Sequence, residues 1–333
     1  MDHANCLIVL CGVLASTAAC SGSPEGDASS TAPFGENASQ QTDASVTPPS
    51  FDESTNPSAT TPAAPSDCAT GTTDVFVVSM EGDFYRFNPG KLQFTKIGPL
   101  SCLPPPSPGI PAQTPSSMAV DRAGNAWVYY GGRRQLFKVS TTDASCAPTT
   151  FAHPASVYVH GMGFSTNGAG DQSETLYADT SDVTPGAAPV RTIRSISLAD
   201  MTLNVVSLYS PPHNPSDLTG AGTSRAELTG TGDGRLFAFF NDIKPAIMSE
   251  FVKGSGALIN SVTLNEVPAG GGFAFSFWGG DFWFYTSPQT GHGTVSRYKA
   301  SGDKSTSVVL NDIGFTIVGA GVSTCAPLVA PVN

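Results

Sequence analysis

The first 85 residues contain no lysine or arginine, and charged residues make up only 13% of the whole chain. Eight of the 27 acidic residues (Asp2, Glu25, Asp27, Glu36, Asp43, Asp52, Glu53 and Asp67) lie in the first 67 positions. The remaining acids exceed the 16 basic residues by only three, so the net charge of −11 belongs mostly to the N-terminal region. No basic stripe is present to track a nucleic-acid backbone, and nucleic acid is not an expected partner. Also missing are a phosphate-binding Walker loop, a Gly-x-Ser-x-Gly elbow, a Cys-x-x-Cys pair and two histidines at metal spacing. The Ser-x-x-Lys match at 301–304 falls in a turn, whereas its chemistry needs a helix. No segment after residue 68 has the periodicity of an amphipathic helix, which excludes bundles and α/β folds.

What is present first is an export signal. "CLIVLCGVLASTAAC" is a short apolar run, Cys6 to Leu14, followed by small residues ending at Cys20. The run is too short for a permanent transmembrane helix. Ala18, Ala19 and Cys20 resemble a bacterial lipobox, in which the cysteine carries lipid and becomes the mature N-terminus. Thr17 stands where a leucine is usual, and "MDHAN" carries no basic residue. Ordinary cleavage near Ala19 is the alternative. The resemblance implies residues 1–19 as signal, Cys20 as the lipidation site and a membrane as partner through the N-terminal lipid. Ser21 after the cysteine favours the outer membrane, on the periplasmic or cell-surface side. Residues 20–67 are Ser, Thr, Ala, Pro and acids, with almost nothing to bury, and are expected to form a disordered linker. Such a tether reaches roughly 40 Å root-mean-square.

With Cys6 and Cys11 removed in the signal and Cys20 lipidated, four cysteines remain: Cys68, Cys102, Cys146 and Cys325. An even number in an exported chain implies two disulfides and no metal or redox role.

From Asp74 the chain becomes short β-rich runs separated by Gly, Asp, Asn and Pro turns. "SSMAVDRAGNAWVYYGG" (116–132), "AELTGTGDGRLFAFFND" (226–242) and "GFAFSFWGGDFWFYTSP" (272–288) align on Gly124, Gly234 and Gly280, then on Trp127, Phe237 and Trp283. "HGMGFSTNGAGDQSETLYADT" (160–180) fits with a longer turn. Each unit continues into a third and a fourth run, and four antiparallel strands recurring in this way predict an all-β propeller over residues 68–327. Residues 328–333 are a short tail.

The first unit has only three strands after Cys68, and "GFTIVGAGVSTC" (314–325) is a spare innermost strand. Closing the ring with this C-terminal strand removes two exposed edges. The count is five blades, or six if 101–115 or 209–224 hides strands. Closure places Cys325 at the end of strand one and Cys68 at the approach to strand two, which predicts a Cys68–Cys325 disulfide. Cys102–Cys146 follows by elimination, although one falls after a fourth strand and the other before one, tending to put them at opposite ends of their blades.

The repeats, with "GTGDGRLFAFF", "FWGGDFWFY" and the ending "GFTIVGAGVSTCAP", resemble an uncharacterised family of bacterial exported, lipobox-bearing propeller-like proteins. More distantly, the blades are similar to those of calcium-dependent propeller lactonases. That second resemblance implies a metal held by Glu, Asn and Asp side chains in the central channel, so calcium is a possible cofactor.

On the repeat alignment the channel mouth is formed by Ser116–Ser117, His160–Gly161, Ala226–Glu227, Gly272–Phe273 and Val318–Gly319. Glu227 and His160 are the only ionisable candidates among them. As a general base and its orienter they would suit a hydrolase. As structural residues, Glu227 would pair with Arg225 or water and His160 with a carbonyl. A hard cation wants six or more oxygens, which this ring does not obviously supply. Asn167, Asp171 and Glu174 in "STNGAGDQSE" form either a weak calcium loop or an elongated hairpin turn. The long segments 101–115, 180–189, 209–224 and 286–293 all fall on the mouth face, where long loops often carry function. The expected function is binding of a protein or small molecule on that face. The alternatives are a lactonase-like calcium-dependent hydrolase and an envelope spacer. In "FSFWGGDFWFYTS" (275–287) most of the aromatics are expected in the core, with Trp278 partly exposed in a turn opposite the long loops.

Overall fold

The computed structural model describes residues 67–103, 114–212, 224–288 and 291–331. The signal, Cys20 and nearly all of the linker lie outside these residues, as do parts of three of the long loops.

Twenty strands form five four-stranded antiparallel sheets. Blade 1 runs β20 (Ile317–Val322), β1 (Val75–Ser79), β2 (Asp83–Asn88) and β3 (Gln93–Pro99) from the centre outward. Blade 2 is β4 (Ser117–Val120), β5 (Asn125–Tyr130), β6 (Gln135–Ser140) and β7 (Cys146–Pro148). Blade 3 is β8 (Val157–Thr166), β9 (Glu174–Asp182), β10 (Val190–Ile196) and β11 (Leu203–Leu208). Blade 4 is β12 (Glu227–Gly230), β13 (Leu236–Phe240), β14 (Ala246–Val252) and β15 (Ala257–Leu264). Blade 5 is β16 (Gly272–Trp278), β17 (Asp281–Ser287), β18 (Thr294–Tyr298) and β19 (Thr306–Leu310). The innermost strands β20, β4, β8, β12 and β16 neighbour one another in a closed ring. The protein is a five-bladed β-propeller. β20 pairs with β1 from Val75↔Val322 to Ser79↔Ile317, so the last strand completes the first blade as its sequence predicts.

The apolar side chains gather in five clusters, each between two neighbouring blades. Trp283 and Tyr285 meet Phe87 and Val75 across the seam of blades 5 and 1, where the Phe87 ring sits edge-on to both. Second strands are sandwiched on both faces, and all seven residues of β17 are buried. This explains why β1, β5, β13 and β17 read as nearly continuous apolar runs instead of alternating ones. The inner strands need small residues for a different reason. A Cβ on Gly161 would lie 2.2 Å from the Ala226 carbonyl oxygen and 2.5 Å from Glu227 Cα, so only glycine lets β8 and β12 meet backbone to backbone.

Both cysteine pairs are bridged, Cys68–Cys325 with Cα atoms 6.0 Å apart and Cys102–Cys146 with Cα atoms 5.0 Å apart. The second bond joins the outer edges of blades 1 and 2, where Ala144 packs on Gly98. Strand twist accumulates outward at roughly 20–25° per strand, so a fourth strand lies across its blade and its two ends are no longer held at opposite faces of the ring.

Two expectations are corrected. Trp278 is buried at 8% exposure instead of standing partly exposed in a turn. It is the last residue of β16, paired with Asp281 across the two-residue turn Gly279–Gly280. Its indole N–H donates to the Thr73 carbonyl at 2.7 Å, and its ring lies against Gly90 in the β2–β3 turn of blade 1. Residues 180–182 belong to β9 and residues 286–287 to β17, so both loops are shorter than their composition implies.

Candidate functional site

The five first strands begin at one end of the ring, and the space between them opens into a cavity of about 290 Å³. Every blade contributes: Ser116 and Arg134 from blade 2, Tyr158 and His160 from blade 3, Arg225 and Glu227 around the start of blade 4, Phe273 from blade 5 and Val318 from blade 1. These include members of all five residue pairs predicted to form the mouth. The second-to-third strand loops and the interblade loops surround the same end, whereas Asn88-Pro89-Gly90 and Gly254-Ser255-Gly256 turn at the other.

Glu227 and His160 both line the cavity, but each is hydrogen-bonded to a different serine. Ser117 Oγ donates to Glu227 Oε2 at 3.0 Å and accepts the Met162 N–H at 3.0 Å. One hydroxyl thus ties β4, β8 and β12 together. Glu227 is only 4% exposed, and burial pushes its carboxyl well above the usual range, which favours the neutral acid. His160 Nε2 bonds Ser181 Oγ at 2.9 Å, a hydroxyl in place of the expected carbonyl. Burial, then the charges of Arg191 and Arg225, lower its imidazole to about 3, so the ring is neutral across the physiological range. A neutral acid and a neutral imidazole on separate partners can hydrogen-bond a ligand, but they form no base-and-orienter relay.

Beside them lies a polar cluster that sequence reading missed. Asp179 in β9 is fully buried and takes an ion pair from Arg191 in β10. It also accepts the Tyr209 hydroxyl at 2.7 Å and the Ala226 N–H at 2.8 Å. The last bond fixes the residue that precedes Glu227, so this cluster anchors the blade 4 side of the mouth to blade 3. Its members come from three separate segments, and only strand register brings them together. The sole sequence signal is an acid inside a strand otherwise buried on both faces.

The residues of the possible calcium loop are drawn to separate partners. Asn167 bonds Ser173 and Thr175, Asp171 caps Ser173, and Glu174 accepts the Arg122 N–H and the Thr324 hydroxyl. The segment is an elongated hairpin turn. Among the described residues no three His, Cys, Asp or Glu side chains converge as a metal group.

The chain's entry to the propeller is pinned at the opposite end of the ring. Arg122, in the turn between β4 and β5, holds Asp67 through Nε at 2.7 Å and reaches Thr324 Oγ1 at 3.2 Å. Ala69 N–H donates to the Arg122 carbonyl at 2.9 Å, and Cys68 is bonded to Cys325. The chain therefore enters the propeller at the end away from the mouth.

No protein-family profile and no curated protein matches this chain. Solved structures with a similar backbone include a protein of unknown function from Bacteroides caccae, 10% identical, covering 74% of this chain and 97% of that one with a TM-score of 0.41. Streptogramin B lyase is 15% identical over 74% of this chain and 68% of its own, with a TM-score of 0.39. Regucalcin, a calcium-binding protein from Agrobacterium tumefaciens, is 12% identical over 72% of each chain, with a TM-score of 0.37.

Proposed function

We propose that this chain is a lipid-anchored lipoprotein of the bacterial outer membrane whose propeller binds a small ligand or partner through the mouth of its channel. The observation that carries the binding reading is the cavity to which all five blades contribute, on the end of the ring that also bears the long loops. Binding sites favour such concave, preformed positions. The direction of the chain supports the anchored reading. Asp67, the first described residue, sits at the end of the ring opposite the mouth, so the chain that leads back to Cys20 joins the propeller away from the cavity. A hydrolase using Glu227 as base is less well supported, because that carboxyl favours its neutral form and its serine partner is sealed between three strands.

Soaking crystals in calcium and small carbohydrates tests the binding reading. Density for an organic ligand between Arg134 and Phe273 is the expected result, and a metal touching Glu227 would favour the hydrolase instead. Mass spectrometry of the mature protein tests the anchor. A lipidated Cys20 at the N-terminus is expected, and an unmodified chain starting at Ser21 would rule lipidation out.

A further inference from the structure

The arginines of this domain differ in how their guanidiniums are engaged. Arg122, Arg191, Arg194, Arg235 and Arg297 each donate hydrogen bonds from the guanidinium to a carboxylate: Asp67, Asp179, Asp182, Glu250 and Asp281 respectively. The two arginines that line the mouth are not neutralised in this way. Arg134 donates one hydrogen bond, to the Ala155 carbonyl at 2.7 Å, and has no acidic partner among the described residues. Arg225 is ion-paired with Asp242 at 3.6 Å through Nε, too long for a hydrogen bond. That carboxylate is instead taken by the Arg225 backbone N–H at 2.9 Å. Among the described residues the Arg225 guanidinium makes no hydrogen bond, and its side chain is 51% exposed.

Both guanidiniums are nonetheless held in place. Arg134 lies over the Tyr158 ring at 5.5 Å and Arg225 over the Phe273 ring at 6.0 Å. Stacking of this kind fixes the plane of the fork while leaving its N–H groups free to donate. The acceptors around them are already engaged: Ser117 between Glu227 and Met162, and His160 with Ser181. A cavity of about 290 Å³ lined by one guanidinium with no acidic partner among the described residues, a second whose fork donates no hydrogen bond among them, and aromatic side chains matches an anion on a body the size of a monosaccharide.

From this arrangement we infer that the mouth binds a sugar-sized small molecule through its anionic group, a carboxylate or a phosphate, clamped between Arg134 and Arg225. The inference rests on the mouth being a binding surface and adds the ligand's chemistry. Calorimetric titration of the full mature protein with galacturonate, galactose 6-phosphate and galactose tests it. At least one of the two anions is expected to bind while galactose does not, and the stronger of the two identifies the anionic group. Arg134→Gln and Arg225→Gln should each weaken that binding roughly tenfold or more, the scale of a lost charge-assisted hydrogen bond. Arg133→Gln, the neighbour that does not line the cavity, should leave it unchanged. Equal binding of galactose, or anion binding that survives both mouth substitutions, would overturn the clamp while leaving a binding mouth intact. Silence from all three probes, together with an empty mouth in the soaked crystals, would overturn both readings.

Discussion

Replacing Cys68 and Cys325 by serine is expected to lower the stability of the propeller by about 5 kcal/mol. That is the loop-closure entropy associated with a bridge spanning 257 residues in the chain-entropy account. For a domain of this size the midpoint of thermal unfolding should fall by roughly 10–20 °C. The same account gives about 4 kcal/mol for Cys102–Cys146, which spans 44 residues, so the midpoint alone separates the two bonds poorly. Where the loss appears is the sharper readout. Among the described residues the β20–β1 ladder, from Val75↔Val322 to Ser79↔Ile317, is the strand pairing that closes blade 1 around its inner strand. Without the bond beyond Val322, the end of that ladder can fray. Backbone amides of β20 and β1 should then exchange with solvent faster than those of β12 and β13, while Cys102→Ser/Cys146→Ser should leave the β20–β1 amides as protected as before. Uniform loss of protection around the ring would show that the bond acts only through the unfolded chain. An unchanged midpoint would show that ladder and packing close the ring unaided.

How much of this was legible in the sequence depended on whether a feature repeats. Gly124, Gly234 and Gly280, which align the units, all adopt positive φ, at 79°, 90° and 82°. A left-handed turn residue at a fixed offset from a buried aromatic is a strong signal because glycine alone adopts it without strain. The aligned Trp127, Phe237 and Trp283 are all buried in second strands. The repeat alignment puts Trp278 in a turn because the turns of the other units are longer. In blade 5 both Gly279 and Gly280 have positive φ, as a two-residue hairpin of type I′ requires, and β16 therefore runs on to Trp278. Gly-Gly flanked by aromatics carried that information. A second repeat went unread. Asp143, Asp200 and Asp303 each accept the N–H and the hydroxyl of the Ser or Thr two residues on, around Ala144, Met201 and Lys304 at positive φ. Asp-x-Ser/Thr marks the third-to-fourth strand turn of blades 2, 3 and 5, where the aspartate's hydrogen bonds bracket a non-glycine residue in the conformation usually left to glycine. The mouth was legible in outline because it follows from where first strands begin. The Asp179 cluster was not, because its pairing depends on register between strands that no local pattern specifies.

That cluster carries the second large effect. Arg191→Met should destabilise the domain by about 3–5 kcal/mol at pH 8, because it leaves the fully buried Asp179 carboxylate without its cation. The size of the loss should depend on pH. Burial raises the Asp179 carboxyl to about 6, even though Arg191, the Ala226 N–H and the Tyr209 hydroxyl all draw it down. Burial opposes charge on Arg191 too, but there the attraction of Asp179 and Tyr209 prevails and the guanidinium is held charged more firmly. The native pair is therefore ionised above about pH 6, while the unfolded carboxyl gives up its proton near 4. The stability contributed by Asp179 is accordingly full below about 4 and is lost as pH rises through about 6, after which it levels off. Removing Arg191 raises the folded carboxyl further, so in the variant the loss continues into the alkaline range. The gap between native protein and variant should open as pH rises from 5 to 8. His160 acts in the same direction on this gap, since Arg191 is one cause of its lowered imidazole and removing that charge favours the variant at acid pH. The double variant Arg191→Met/Asp179→Asn no longer buries a carboxylate at position 179 and should regain most of the loss at pH 8. Urea midpoints at the two pH values decide the matter. A gap of equal size at both would mean that Arg191 serves only to fill space. A gap that widens with pH and closes in the double variant would establish that the blade 3–4 side of the mouth is held by compensated charge.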